Sequence, residues 1–254
     1  MRKEVYEKIV NKKDFSQLLK KDVEKAYALF EKREVSEEEK IRLTRDLLRK
    51  VFSAFVSKKL LSLKNKEPEW VLRKHISTRE RLPYYKELYS RLLKNFKKVT
   101  IIDLGAGING FSFKFFKRKV TYVGVEAIGQ LVSLMNSYFE KEVLKARALH
   151  LSLFELKKIK DFIKKTKKPK IIFLFKTLDS LEMLEKDFSK KFLREIVPLA
   201  GRVVVSFATR SLIKKVKFRA KRKWLVNFIQ KNFKIIDDFE LGGERYIVFE
   251  KNNL

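Results

Sequence analysis

The sequence has no cysteine and only two histidines, His75 and His150. Without cysteine, disulfides, thiolate zinc sites and a cysteine nucleophile are excluded. The two histidines are too few and too far apart in the sequence to predict a metal cluster, so we expect no metal site. Long apolar runs are also missing, because stretches such as IIFLF at 171–175 have only the length of a strand. The basic N-terminus lacks the apolar core of a signal peptide, and we therefore expect a soluble protein of the cytoplasm. We take it to be a monomer, although the sequence does not report the oligomeric state.

Acidic residues are scarce relative to basic ones. The 254-residue chain has 61 Lys and Arg against 31 Asp and Glu, which gives a net charge of +30. Such an excess repels itself unless the partner is a polyanion, and nucleic acid is the natural candidate. The basic residues are spread through segments that also carry periodic apolar residues, so we expect them on a folded surface and not in a disordered tail.

Two patterns of apolar residues divide the chain. Up to about residue 70, apolar residues recur three and four apart, which predicts helices, including one over 15–35 and one that begins at Ser36. After about residue 100, short β-rich runs alternate with helical segments. This alternation predicts an α/β fold with a mostly parallel sheet covered on both faces. The last two β-rich runs, separated by Gly242 and Gly243, predict a hairpin.

The first β-rich run ends in a turn of small residues, within VTIIDLGAGINGFSFKFF at 99–116. Asp103, Gly105 and Gly107 stand at this turn, where glycines let a backbone approach a ligand closely. The next run ends in Glu126, about twenty residues later, where an acid can accept hydrogen bonds from ribose hydroxyls. Together these features favour a nucleoside cofactor over a plain tight turn. A nicotinamide cofactor is disfavoured because the third glycine of its fingerprint is absent.

Six stretches of the chain follow one another in a distinctive order. They are HISTRERLPYYKELY (75–89), IIDLGAGIN (101–109), VGVEAIGQL (123–131), FLFKTLDSLE (173–182), VVVSFATRSL (203–212) and GGERYIVFEK (242–251). They resemble the motifs of the aminoglycoside-resistance 16S ribosomal RNA methyltransferases, which take a methyl group from S-adenosyl-L-methionine. The resemblance implies a Rossmann-like methyltransferase fold with a mostly parallel seven-stranded sheet over 71–254. It also implies a basic, helical RNA-docking extension over 1–70.

The resemblance assigns cofactor-binding roles to particular residues. Arg81 is expected to bind the methionine carboxylate with its planar guanidinium, although taken alone it would be read as a surface ion pair with Glu80 or Glu87. Glu126 is expected to bind the ribose, and the adenine is expected near Ser152 and Leu153, where no acid or carboxamide stands to recognise it. The full set of cofactor-binding candidates is Phe55, His75, Ser77, Thr78, Arg81, Asp103, Gly105, Ala106, Gly107, Glu126, Ala127, Ser152, Leu153, Phe175 and Lys176.

The stretch SFATRSLIKKVKFRAKRKW at 206–224 is the most informative about the substrate. It follows a strand whose C-terminal end faces the same crevice, and its basic run can contact phosphates. Arg210 and Lys176 are candidates for positioning the target nucleotide, and Trp224 either stacks on a base or anchors its helix. The RNA-binding candidates are Thr209, Arg210, Ser211, Lys214, Lys215, Lys217, Arg219, Lys221 and Arg222.

The family methylates N7 of a guanine in the decoding region of small-subunit ribosomal RNA. Because N7 has an in-plane lone pair and no proton to remove, the reaction needs positioning and no general base, and we predict no catalytic acid or base. Departures from the family pattern, such as Gly110 in place of the usual proline, leave the target nucleotide open. A transfer RNA guanine remains an alternative substrate, and a catalytically silent RNA-binding protein remains an alternative function.

Overall fold

The computed structural model describes residues 1–12, 14–53, 67–209 and 222–252. The α-helices of these residues alternate with strands in the second half of the chain, as the sequence pattern predicts. The helices are α1 Lys3–Val10, α2 Lys20–Glu31, α3 Glu37–Leu48, α4 Pro68–Leu72, α5 Ile76–Arg81, α6 Tyr85–Leu92, α7 Gly129–Lys141, α8 Leu156–Lys165, α9 Leu178–Leu184, α10 Phe188–Ile196 and α11 Lys223–Asn232. None of them combines the length and the apolar character needed to cross a membrane.

The strands form one seven-stranded sheet in the order β3-β2-β1-β4-β5-β7-β6. They are β1 Lys98–Leu104, β2 Lys119–Glu126, β3 Ala146–His150, β4 Lys170–Phe175, β5 Arg202–Ala208, β6 Phe233–Leu241 and β7 Glu244–Lys251. Neighbouring strands are parallel except that β7 is antiparallel to both β5 and β6. The predicted α/β fold with a mostly parallel sheet and the hairpin at Gly242 and Gly243 are both confirmed.

The central strands are buried along almost their whole length. Every residue of β4 is buried, and β1 and β2 are exposed only at their first residues apart from the half-buried Thr121. Strands of this kind read as continuous apolar runs because helices cover both faces of the sheet. Their register brings Leu104 opposite Val125 and Phe175 opposite Ser206, so β1, β2, β4 and β5 end at one common edge.

The helices α1–α3 lie before the sheet in the chain. The Ser36 hydroxyl accepts a hydrogen bond from the Glu39 amide at 3.2 Å, which confirms the predicted start of α3. The helix predicted over 15–35 is too long at both ends, because α2 begins only at Lys20 and ends at Glu31. Leu18 instead forms an isolated antiparallel bridge with Ile128, so its backbone groups pair with the main body of the protein.

Candidate active site

A cleft lies at the carboxyl ends of β1, β2 and β4 and encloses about 900 Å³, part of it open to solvent. The chain order reverses between β1 and β4, and open α/β sheets bind their ligands at such a switch point. The lining comes from strand ends, from α5 and α9, and from the N-terminal segment through Asp22, Val51 and Phe52.

The turn after β1 is built for close approach of the backbone to a ligand. Gly105 and Gly107 have φ values of +74° and +55°, a region that side-chain-bearing residues rarely adopt. A Cβ on Gly105 would also lie 2.7 Å from Thr177 Cγ2. The Thr177 hydroxyl donates to the Leu104 carbonyl at 3.0 Å and so ties the ends of β1 and β4 together. Glycine is therefore required at this turn by both conformation and space.

The Asp103 carboxylate, at the end of β1, is buried and only half satisfied. Its Oδ2 accepts hydrogen bonds from Asn109 Nδ2 at 2.7 Å and from the Tyr122 hydroxyl at 2.8 Å. Its Oδ1 has no hydrogen-bond partner among the described residues, and burial raises the pKa of the carboxyl. Since an unpaired buried oxygen is costly, the cleft favours a ligand that donates a hydrogen bond or carries positive charge here.

Glu126, at the tip of β2, is held by three backbone amides. Its Oε2 accepts from Gly107 at 2.8 Å, and its Oε1 accepts from Ala127 at 2.9 Å and Ile128 at 3.0 Å. Burial raises the pKa of this carboxyl, while the three amide hydrogen bonds oppose that rise. The amides fix the carboxylate in one orientation, and Oε2 keeps an acceptor position for a ligand hydroxyl.

Arg81 is buried in an ion pair that the sequence did not indicate. The residue is 3% exposed, and its Nε donates to Glu244, itself 2% exposed, at 3.0 Å. Its Nη1 makes a long contact of 3.4 Å with Asn109, and its guanidinium lies 4.9 Å from the centre of the Phe175 ring. The surface pairs with Glu80 or Glu87 are therefore not formed. A guanidinium has five N–H donors, so this arrangement orients Arg81 and leaves donors for a second carboxylate.

Lys176 stands at the tip of β4 within the same charged cluster. Its ammonium is 2.7 Å from Glu80 Oε2 and 3.4 Å from Glu244 Oε2. The residue has a φ of +58°, and its amide donates to Ser206 in β5. Residues other than glycine that are held in a left-handed conformation cluster at functional sites. The two cations of this cluster, Arg81 and Lys176, line the cleft, and the carboxylates of Glu80 and Glu244 pair with them.

His75, just before α5, packs against the glycine turn after β1. His75 is buried, and burial, with the charges of Arg81 and Lys176, lowers the pKa of its imidazole to about 3. The ring is therefore neutral at physiological pH. A Cβ on Gly107 would lie 3.3 Å from its Nε2, so the ring packs over the glycine turn. The Thr78 hydroxyl donates to the Leu72 carbonyl at 2.6 Å and anchors the start of α5.

The structure brings together most of the predicted cofactor-binding residues. Ser152 is buried just behind the cleft wall, where its hydroxyl accepts from the Phe154 amide at 3.1 Å. Phe55 lies outside the described residues. The predicted residues that line the cleft are His75, Ser77, Thr78, Arg81, Asp103, Gly105, Ala106, Gly107, Glu126, Ala127, Leu153, Phe175 and Lys176.

The predicted RNA-binding residues are described only at the two ends of their stretch. The Thr209 hydroxyl donates to Glu240 at 2.8 Å, and Arg222 is paired with Asp179 at 2.7 Å. The Trp224 side chain is 36% exposed, so it does not anchor its helix in the core. The remaining candidates, Arg210, Ser211, Lys214, Lys215, Lys217, Arg219 and Lys221, lie outside the described residues.

Several residues of the site were not predicted from the sequence, among them Asp22, Asn109, Thr177 and Glu244. Asn109 stands within the stretch 101–109, Thr177 within 173–182 and Glu244 within 242–251, so their place in these motifs was the available signal. Asp22 lies in the N-terminal segment, about eighty residues before the first glycine of the turn, and no local pattern marks it.

A model of a known protein family matches most of this chain. The model of the ribosomal RNA methyltransferase (FmrO) family matches residues 32–245. The chain belongs to this family. The match to the FmrO family spans the whole sheet up to β7, together with the glycine turn, Arg81 and Glu126. It begins after α2, so the segment that contains Asp22 lies outside it.

Solved structures of ribosomal RNA methyltransferases share the fold of this FmrO family member. The 16S rRNA methyltransferase RmtF in complex with S-adenosyl-L-homocysteine is 19% identical, with a TM-score of 0.80 over 99% of this chain and 100% of that chain. The 16S rRNA methylase RmtB is 18% identical, with a TM-score of 0.78 over 98% of each chain. An rRNA methylase from Escherichia coli is 18% identical, with a TM-score of 0.77 over 98% of this chain and 99% of that chain. No curated protein sequence matches the chain.

Proposed function

We propose that the protein transfers the methyl group of S-adenosyl-L-methionine to N7 of a guanine in 16S ribosomal RNA. The observation that carries the proposal is the pair of groups beside the glycine turn: the free oxygen of Asp103 and the oriented guanidinium of Arg81. The methionine part of the cofactor ends in an ammonium and a carboxylate, which match these two groups in charge. A neighbour of the same fold is described with S-adenosyl-L-homocysteine bound, and this supports the choice of cofactor.

The residues of the cleft fit the rest of the cofactor. Glu126 retains an acceptor position for a ribose hydroxyl, and the glycine turn leaves room for the ribose and the methionine chain against the backbone. Apolar side chains beyond Glu126, among them Ile128, Leu153 and Phe154, form a surface for the adenine ring. When bound, the cofactor supplies an electrophilic methyl group on a sulfonium.

Methyl transfer to guanine N7 requires no general acid or base from the protein. The N7 lone pair forms the new N–C bond as the C–S bond breaks, and the electrons of the broken bond remain on sulfur, so no proton has to be removed. Fixed geometry is then the main catalytic contribution. Lys176 and Arg210 are proposed to position the target nucleotide. Extruding a base from its stack costs a few kcal/mol, which phosphate contacts of the basic surface offset.

The test is methyl transfer from labelled cofactor to separated small-subunit RNA, large-subunit RNA and transfer RNA, with the ribosomal RNAs also supplied within intact subunits. Nucleoside analysis of the product then identifies the modified atom. We expect N7-methylguanosine in the small-subunit fraction. The same nucleoside in transfer RNA would replace the substrate by the alternative, and a different nucleoside would overturn the N7 assignment.

A binding experiment separates the cofactor assignment from the RNA assignment. We expect calorimetric titration to detect S-adenosyl-L-homocysteine binding that weakens at least tenfold in Arg81→Ala and in Glu126→Ala, since each removes a charge-assisted contact. Binding with no label in any RNA or subunit would favour the silent RNA-binding protein. Binding of a nicotinamide dinucleotide in its place would contradict the proposal.

A further inference from the structure

The N-terminal segment places a buried carboxylate in the cleft. Asp22, in the first turn of α2, is 2% exposed and lines the cleft. Its Oδ2 has no hydrogen-bond partner among the described residues. An acid in a first helical turn is favoured by the helix dipole, but such a residue normally stands in water. The dipole therefore explains the residue type and leaves its burial unexplained.

Asp22 is held in place by backbone contacts of the preceding segment. The Gly129 amide donates to the Gln17 carbonyl at 3.0 Å, next to the bridge between Leu18 and Ile128. The Gln130 side chain donates to the Ser16 hydroxyl at 3.1 Å. These contacts join the segment to the start of α7, beside the tip of β2. The position of Asp22 is thus defined by the same strand end that carries Glu126.

The surroundings of Asp22 are those expected for an adenine. The Ser152 hydroxyl lies beside its carboxyl, and Leu153 and Phe154 continue the wall of the cleft. Ser152 already accepts from the Phe154 amide, and the segment Leu151–Phe154 after β3 offers no carboxylate or amide side chain to an adenine. The exocyclic amino group of adenine is a hydrogen-bond donor that requires an acceptor once it is buried.

We infer that Asp22 accepts a hydrogen bond from the exocyclic N6 amino group of the cofactor's adenine. This inference rests on the proposed function, because it assumes an adenosyl cofactor in the cleft. It makes the N-terminal segment part of the cofactor site in addition to its expected role in RNA docking. The segment lies outside the residues that the family model matches.

The experiment compares two ligands that differ in the hydrogen-bonding groups at positions 1 and 6 of the purine. S-adenosyl-L-homocysteine carries the amino donor at position 6, whereas S-inosyl-L-homocysteine carries an oxygen acceptor there and a proton on N1. Calorimetry on the wild type is expected to favour the adenosyl ligand by about 10- to 100-fold, the usual effect of a hydrogen bond to a charged group. Asp22→Ala is expected to lose this preference. In Asp22→Asn, the affinity for the inosyl ligand is expected to rise relative to that for the adenosyl ligand. The reason is that the asparagine amide can donate to the oxygen at position 6 of the purine.

The control is Glu24→Gln, which removes a charge from the same helix at a residue paired only loosely with Lys20, at 3.9 Å. It is expected to keep the wild-type preference. Equal binding of the two ligands by the wild type, or an unchanged preference in Asp22→Ala, would overturn the inference while leaving the proposed cofactor intact. Failure of the wild type to bind either ligand would instead refute the proposed function.

Discussion

At the scale of single residues, Asp22 shows how a binding group can lower stability. Burial raises the pKa of its carboxyl to about 7, and nearby Glu126 and Glu155 contribute to the rise, while Ser152 opposes it. The next turn of α2 carries Lys25, but that cation is paired with Glu185. Without a ligand, burial of the ionised Asp22 carboxylate therefore lowers the stability of the folded protein.

Replacing Asp22 by Asn is expected to stabilise the ligand-free protein, and more so at pH 8 than at pH 5. The pKa of the carboxyl in the folded protein, about 7, lies above its ordinary value of 3.8. As the pH rises from about 4 to about 7, the unfolded chain ionises first, so the wild type loses up to about 4 kcal/mol. Urea unfolding of both proteins at the two pH values measures this difference. A gain of the same size at both values would contradict the expectation.

Glu244 is the positioning residue for Arg81, and it also compensates Lys176. Burial raises the pKa of the Glu244 carboxyl, but Arg81 and Lys176 together lower it by more. The pKa therefore lies below its ordinary value. Ser206 adds a hydrogen bond to the same carboxylate. The Glu244 carboxylate thus makes its full contribution to the stability of the folded protein at neutral pH. This contribution disappears as the pH falls below the usual range of a glutamate pKa.

Replacing Glu244 by Gln is expected to lower the free energy of unfolding at pH 7 by about 3–5 kcal/mol, the cost of breaking a buried ion pair. The penalty should shrink as the pH falls below the ordinary glutamate pKa of 4.5, because the unfolded chain is protonated first and the folded carboxyl only at lower pH. S-adenosyl-L-homocysteine should raise the melting temperature more in the variant than in the wild type, because its carboxylate restores a negative charge beside Arg81. Equal ligand-induced shifts would argue against that carboxylate lying at Arg81.

At the scale of elements, the sequence predicted which segments form helices and strands better than it predicted where those elements begin and end. Runs rich in apolar residues, such as VTIIDL and KIIFLF, identified buried strands because every residue in them is buried. The strand β3, with the sequence ARALH, was missed because it is short and carries Arg147 and His150 on a partly exposed edge. The start of α2 was misplaced because a long-range bridge at Leu18 competes with the local helical pattern.

Long-range contacts also explain why part of the site was missed. The glycine turn, Glu126 and Arg81 lie in local motifs, and the structure brings them to one cleft. Asp22 and Glu244 reach the same site from distant parts of the chain. Neither the 3.6-residue period nor the alternation of a strand records which distant residues become neighbours.

Docking of the N-terminal segment can be tested at Gly129. A Cβ there would lie 2.8 Å from Gln17 Oε1 and 3.1 Å from His150 Cε1, so Gly129→Val should displace residues 15–19. We expect about tenfold weaker binding of S-adenosyl-L-homocysteine, comparable to removal of the Asp22 carboxylate. The effect should vanish in an Asp22→Ala background, since both changes remove the same interaction. The control is Gly201→Ala, where the nearest atom would be 3.5 Å from the added Cβ.

At the scale of the whole molecule, charge separates the two binding events. The net charge of +30 acts on a polyanion over a wide surface, whereas the cofactor cleft is lined by carboxylates and cations in nearly equal number. Contacts with phosphates release bound counterions, so affinity for RNA falls steeply with salt. Buried charge pairs are screened much less by salt.

We therefore expect different salt responses for the two ligands of the wild type. Between 50 and 200 mM salt, affinity for small-subunit RNA should fall by about 10³- to 10⁵-fold if 6–10 phosphates are contacted, while affinity for S-adenosyl-L-homocysteine changes little. Changing Lys214, Lys215 and Lys217 together to Gln should flatten the logarithmic salt slope by about 0.7–0.9 for each phosphate that the variant no longer binds. Filter binding for the RNA and calorimetry for the cofactor measure both in the same buffers. An unchanged slope would place the RNA-binding surface elsewhere on the protein, and a weakened cofactor affinity would show that the three lysines also shape the cleft.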